Sequence, residues 1–131
     1  RVEDNWVQRF AQRTDTVWER DGWPQRLGLP VKDSGFGYSA EQVAGLPGYN
    51  LDEVMAYFEA VRAATLRYLD GLTQDDLGIS PAPDERPGYT IGKMFSHVIV
   101  EESQHLGQVA YIRGLQRGID NGRSLGKEWD N

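Results

Sequence analysis

Apolar residues recur every three or four positions through three stretches of this chain, and no segment alternates convincingly as a strand would. Val2, Trp6, Val7 and Phe10 predict a helix from the first residue to about Arg13. It starts without a cap, as the later part of a helix would, so a helix or part of one is expected upstream of Arg1. Thr14 or Asp15 is placed to cap a short turn through Trp18 and Glu19. Residues 21–49 are broken by Gly22, Pro24, Gly28, Pro30, Gly35, Gly37, Gly45, Pro47 and Gly48, and predict a long loop of the kind that serves as a lid. One short helix is expected inside it, from Ser39 with Gln42 as its capping-box partner. Asn50, with Glu53 three residues on, caps a helix whose Leu51, Val54, Met55, Phe58, Val61, Thr65, Leu69 and Leu72 step by three or four. It ends near Asp70 and Gly71, and Thr73 to Asp76 starts a brief turn. After the proline-rich connection Ser80 to Gly88, Thr90 caps a long helix that Gly118 ends, with Arg113 and Arg117 against its dipole. Asp120, Asn121 and Gly122 predict a turn, and Gly126 onward a tail. The expected fold class is all-α, its helices packed side by side as a bundle.

The last helix holds the candidate chemistry. At about 100° per residue, Ile91, Met94, Val98, Val109 and Ile112 share one face. With Val98 at its centre, His105 falls about 20° away and Glu101 about 60° away. Both are expected to point inward, where a carboxylate and an imidazole one turn apart must pair, bind a metal or be wetted by a cavity. A lone histidine on an apolar face is ordinarily a hydrogen-bonded core residue; the second polar group beside it makes this spot a site candidate. His97 sits about 100° from Val98 and about 12 Å along the axis from His105, so it reads as a polar edge contact rather than a third ligand. Glu102 is placed to pair with Arg113 or a neighbouring helix, and Gln108 to order the shell around the pair. Asp4 reads as solvated surface charge, and Glu3 is open. Trp18, Trp23, Phe36 and Tyr38 are candidates to close over a ligand, although each taken singly reads as packing.

Composition narrows the classes. The 131 residues fit one domain, residues 1–131, with one core. The net charge of -6 argues against nucleic acid and against anionic membrane as partners. No run of apolar residues is long enough to span a bilayer. The chain has no cysteine, which excludes disulfides, thiolate ligands and cysteine nucleophiles, and fits a cytoplasmic protein. Any thiol chemistry must use a thiol brought by substrate or cofactor. There is no glycine-rich phosphate loop and no GxSxG elbow.

The run FSHVIVEESQHLGQVAYIRGLQRG resembles the last helix of the DinB-like (damage-inducible) superfamily, four-helix bundles related to thiol S-transferases and to mycothiol-dependent maleylpyruvate isomerase. His97, His105, Gln108 and Val109 match its pattern. The segments RVEDNWVQRF and VWERDGWPQRLGLP resemble the end of that family's second helix and the segment after it, and LDEVMAYFEAVRAATLRYLDGL resembles its third helix. The resemblance implies a bundle whose first helix is missing from this chain. It implies a divalent ion, zinc or nickel, held by one histidine of the second helix and two of the last. The last-helix positions correspond to Glu101 and His105, Glu101 standing where histidine is usual, and the remaining histidine would lie upstream of Arg1. Two ligands alone make a weak site, so either an upstream residue completes it or this member has lost its metal. The implied activity is metal-dependent transfer or isomerisation of a small electrophile with a low-molecular-weight thiol. The alternative is a non-catalytic bundle that binds a small ligand or forms a homodimer.

Overall fold

The computed structural model describes residues 1–32 and 34–118, and these hold helices and no strand. The turn and tail expected after Gly118 lie outside the described residues. The chain divides into two compact units, Arg1–Val98 and Ile99–Asn131.

The first unit opens with α1, Val2–Asp4, which continues into seven π-helical residues, Asn5–Ala11. The widened turns bond one residue further back than an α-helix does, as Gln12 N does to Val7 O at 3.0 Å. The segment ends at Arg13, whose φ of 60° is left-handed. Arg13 is tied down there by a two-pronged pair with Glu85, at 2.7 and 3.1 Å. The face of this helix that is buried carries Glu3, Asp4, Val7, Gln8 and Ala11 rather than the expected set of Val2, Trp6, Val7 and Phe10. Trp6 and Phe10 are half-buried instead. Counting apolar residues picked the wrong stripe because the true one contains three polar side chains, Glu3, Asp4 and Gln8, which periodicity alone assigns to the surface.

Asp4 shows how one of these is held inside. It is fully buried, and its two carboxylate oxygens accept from Val17 N at 2.8 Å and Trp18 N at 2.9 Å. These are the first two amides of α2, Val17–Arg20. Thr16, not Thr14 or Asp15, is the cap: its hydroxyl accepts from Glu19 N at 3.2 Å. Arg20 N makes the first regular helical bond, to Thr16 O at 2.9 Å, so each of the four amides of α2 has a partner. The reading of Asp4 as surface charge is therefore corrected. A carboxylate facing open helix amides is stabilised by their partial positive charges, which offsets its desolvation.

The long loop is also shorter than expected. Trp23–Leu27 forms α3 with Pro24 at its second position, and Ala40–Ala44 forms α4. The expected capping box is made, with Ser39 and Gln42 bonding reciprocally at 2.9 and 3.2 Å. Glycines Gly22 and Gly28, at φ of 72° and 65°, bracket α3 in a conformation that side chains resist. Trp23 is thereby turned into the core and is not free to cover a ligand.

Helix α5, Leu51–Asp70, begins at Asn50, whose side chain accepts from Asp52 N at 2.9 Å. Glu53 serves elsewhere, in an ion pair with Arg26 at 2.6 Å. Val17, Trp18, Trp23, Tyr57, Val61 and Ala64 make the buried cluster on which α2, α3 and α5 meet. Trp18 donates its indole proton to Val31 O at 2.9 Å, and the guanidiniums of Arg1 and Arg26 lie 4.2 and 3.8 Å over the rings of Trp18 and Trp23. A 3-10 turn, Asp75–Gly78, leads back to the start of α6, Ile91–Arg117. The approach is close: a Cβ on Gly92 would sit 3.1 Å from Leu77 O. Thr90 caps α6 as expected, accepting from Lys93 N at 3.3 Å. Ile91, Met94 and Val98 are buried.

Candidate functional site

Helical spacing brings Glu101, His105 and Gln108 together on the second unit's part of α6. His105 Nε2 lies 3.8 Å from Glu101 Oε2. His105 Nδ1 lies 3.0 Å from Gln108 Oε1. An amide oxygen only accepts, so in this contact Nδ1 is the donor. In the neutral ring this tautomer carries its lone pair on Nε2, the nitrogen beside the Glu101 carboxylate. Gln108 thus stands where a group that orients the histidine was expected, and two ligand-competent atoms, one nitrogen and one oxygen, face a common volume.

The environment differs from expectation. The His105 side chain is 57% exposed and that of Glu101 is 31% exposed. Val109 and Ile112, expected on one covered stripe with Val98, are exposed as well. Helical phase decides which side chains share a face; it does not supply the partner that covers it. The inward orientation of the pair is accordingly corrected, whereas its convergence stands.

His97 belongs to the first unit. It is half-buried, its ring centroid 4.3 Å from that of Trp6 and 6.4 Å from that of Tyr89. That is the expected edge contact, made with aromatic rings. Arg86 closes the same group, its guanidinium 4.2 Å over Phe10 and 5.2 Å over Trp6. Glu3 is buried 3.5 Å from Arg62, and Glu102 is half-buried on α6. The hydroxyls of Ser96 and Ser103 donate to Gly92 O and Ile99 O, at 3.0 and 2.7 Å, so both are bonded back onto their own helix. Phe36 and Tyr38 are not part of the core, Phe36 being 95% exposed.

The donor set bears on the implied metal. A catalytic zinc takes three protein ligands and keeps an open position. Among the described residues no three of His, Asp and Glu are grouped to hold an ion. Glu101 and His105 fit as two ligands of such a site, of the right chemistry for zinc or nickel, and do not complete it.

Against known families, the profile of the mycothiol-S-transferases matches residues 1–118. The chain belongs to this family. Mycothiol-S-transferases fall within the DinB-like superfamily, so the resemblance carried by the last helix holds, as does the all-α fold class. The match takes in the aromatic contact of His97, the Glu101–His105 pair and the buried Asp4 alike. No curated protein and no solved structure matches the chain. No helix of the described residues is long and apolar enough to cross a membrane.

Sequence reasoning missed two features of the first unit. One is the buried Asp4–Tyr57 hydrogen bond, 2.8 Å long. The other is a pocket of about 320 Å³ lined by Gln8, Gln12, Arg20, Arg67 and Tyr68 among others. A signal existed: Asp4, Gln8 and Ala11 lie at helical spacing on the face of Val7, so polar groups share the core stripe.

Proposed function

We propose that this protein is a mycothiol-linked S-transferase that joins the thiol to a small electrophilic substrate, with Glu101 and His105 at the thiol site. The observation that carries the reading is the His105 imidazole held by Gln108 with Nε2 turned to the Glu101 carboxylate, within a chain that belongs to the mycothiol-S-transferases. Glu101 and His105 would hold a divalent ion, zinc or nickel. When bound, such an ion supplies Lewis acidity that keeps a thiol deprotonated at neutral pH. Gln108 keeps His105 in the tautomer whose lone pair lies on Nε2. In the transfer the sulfur forms a bond to the electrophilic carbon as the bond from that carbon to the departing group breaks, the electron pair leaving with that group, and the thiol's proton goes to solvent or to the departing group. The absence of cysteine agrees with a thiol that arrives with the cofactor. We place the protein in the cytoplasm, where a reduced thiol pool is found.

Metal analysis of the untagged full-length protein tests this directly. Stoichiometric zinc or nickel is expected, together with loss of mycothiol consumption in the presence of an electrophile when His105 becomes Ala. His97→Ala is expected to leave metal uptake intact. No metal in the preparation and no thermal shift on adding zinc or nickel removes the metal from the reading.

A second reading has its own support. Leu106, Val109, Ile112 and Leu115 are exposed on α6, an apolar surface suited to pairing with another copy in a non-catalytic, ligand-binding homodimer. Sedimentation velocity separates the two: an active monomer excludes this version.

A further inference from the structure

The pocket in the first unit has the chemistry of an acid-binding site. Asp4 meets Tyr57, and further on Gln8 and Gln12 share a pocket wall with Arg67, Tyr68 and Leu72. Residue numbers rise together on both helices, so the first helix and α5 run parallel and the pocket lies where both end. Arg20 reaches in from the end of α2.

The polar atoms there are unequally satisfied. Gln8 is 3% exposed. Its Oε1 accepts from Gln12 Nε2 at 2.8 Å, while its own Nε2 is buried with no hydrogen-bond partner among the described residues. A buried amide donor left so is costly, and it calls for an acceptor. Arg20 has its acceptor: Nε and Nη2 bond Asp21 at 2.8 and 3.1 Å. Arg67 makes no hydrogen bond or ion pair with a described residue, although its charge helps to hold the Asp21 carboxyl below its ordinary value, after the closer Arg20. Tyr68 is steadied by Phe95, the two rings stacked at 6.2 Å.

The charges on this wall decide the ligand. Of the two cations that line the pocket, Arg20 is paired with Asp21, and the Asp76 carboxylate acts on Tyr68 from outside the lining, which leaves Arg67 as the lining cation without a bonded carboxylate. An amide, a guanidinium and a phenol thus belong to the lining, with Arg67 as its unpaired cation. A dianion such as phosphate would leave negative charge uncompensated, whereas a carboxylate balances it and accepts from the guanidinium fork in two places. The side chain of Leu72 and the ring of Tyr68 offer apolar surface beside the donors. About 320 Å³ is at the small end of ligand pockets, fitting a compact organic acid. We propose that this pocket binds the carboxylate of a small organic acid, anchored by Arg67 and Gln8. The proposal goes beyond the thiol site and does not rest on it.

Benzoate is the probe, titrated into the full chain by calorimetry or ligand-observed NMR. Binding is expected for benzoate and about tenfold weaker for benzamide, which has the same shape and no charge. Arg67→Gln should weaken benzoate by about tenfold or more, and Arg67→Lys, which keeps the charge without the planar fork, by less. Arg62→Gln, on the same helix but beside Glu3, should change it by less than about twofold. Far-UV circular dichroism checks that each variant is folded; if Arg67→Gln is not, Tyr68→Phe and Arg67→Lys carry the test. Benzamide binding as tightly as benzoate, inorganic phosphate binding more tightly than benzoate, or benzoate affinity indifferent to every change at Arg67 and Tyr68 each overturns the proposal. So does a folded wild-type chain that binds no benzoate at millimolar concentration.

Discussion

Asp4 closes three hydrogen bonds at once, to Val17 N, Trp18 N and the Tyr57 hydroxyl. Removing it leaves three buried donors without an acceptor, a larger loss than the contacts themselves are worth. Asp4→Ala is expected to cost about 3–5 kcal/mol, measured by urea unfolding, whereas Asp4→Asn keeps one acceptor and should cost less. Tyr57 gives a pH signature. Burial first, then the Asp4 charge and its hydrogen bond, push the Tyr57 hydroxyl far above its ordinary value. A group raised on folding stabilises fully below its unfolded pKa, which for tyrosine is about 10, and that stability is lost as pH rises further. Unfolding midpoints should therefore fall above about pH 10, and Tyr57→Phe should reduce that fall while costing stability at neutral pH. Tyr68 shifts in the same direction through burial and Asp76, so part of the slope will survive in the Tyr57 variant.

At the scale of elements, the short helices are where local chemistry and tertiary need coincide. α3 has five residues, too few to stand alone in water, and persists because Trp23 and Leu27 pack on the cluster around Tyr57 and Val61. Trp23→Ala should cost about 3–5 kcal/mol by thermal or urea unfolding. Changing Phe36, in an exposed turn of the same nominal loop, should cost almost nothing. The pair on α6 shows the converse. Its members are neighbours because of the i, i+4 spacing alone, so Glu101→Gln or His105→Ala should leave helix content unchanged by circular dichroism. Either should lower metal uptake at the proposed site. A variant that keeps stoichiometric metal would remove that residue from it.

The whole molecule is uneven in how its surfaces are covered. Ile91, Met94 and Val98 are buried, whereas Ile99, Leu106, Val109, Ile112 and Leu115 of the same helix are exposed. Amide protection follows buried packing more than helix length. Hydrogen exchange should therefore be slowest around Met94 and Val98 in α6 and around Val61 in α5, and faster by orders of magnitude from Leu106 to Leu115. Equal protection along all of α6 would show that its later turns are covered in solution. The family match over residues 1–118 takes in both units, and we propose that they serve as a single domain.

The sequence by itself determined which residues are helical neighbours. Caps at Ser39, Asn50 and Thr90, the extent of α5 and α6, and the convergence of Glu101, His105 and Gln108 all arise from contacts within a few residues. It was also enough for the DinB-like family, whose pattern lies along one helix. Tertiary structure alone decided which faces are covered. It put Asp4 against the open amides of α2, thirteen residues away, and against Tyr57, fifty-three away. It folded Trp23 inward from a segment whose glycines and prolines read as loop, and left His105 exposed on a stripe that reads as buried. Periodicity is a property of one chain segment, whereas burial belongs to a pair of surfaces, and a buried polar group is legible only once its distant partner is known.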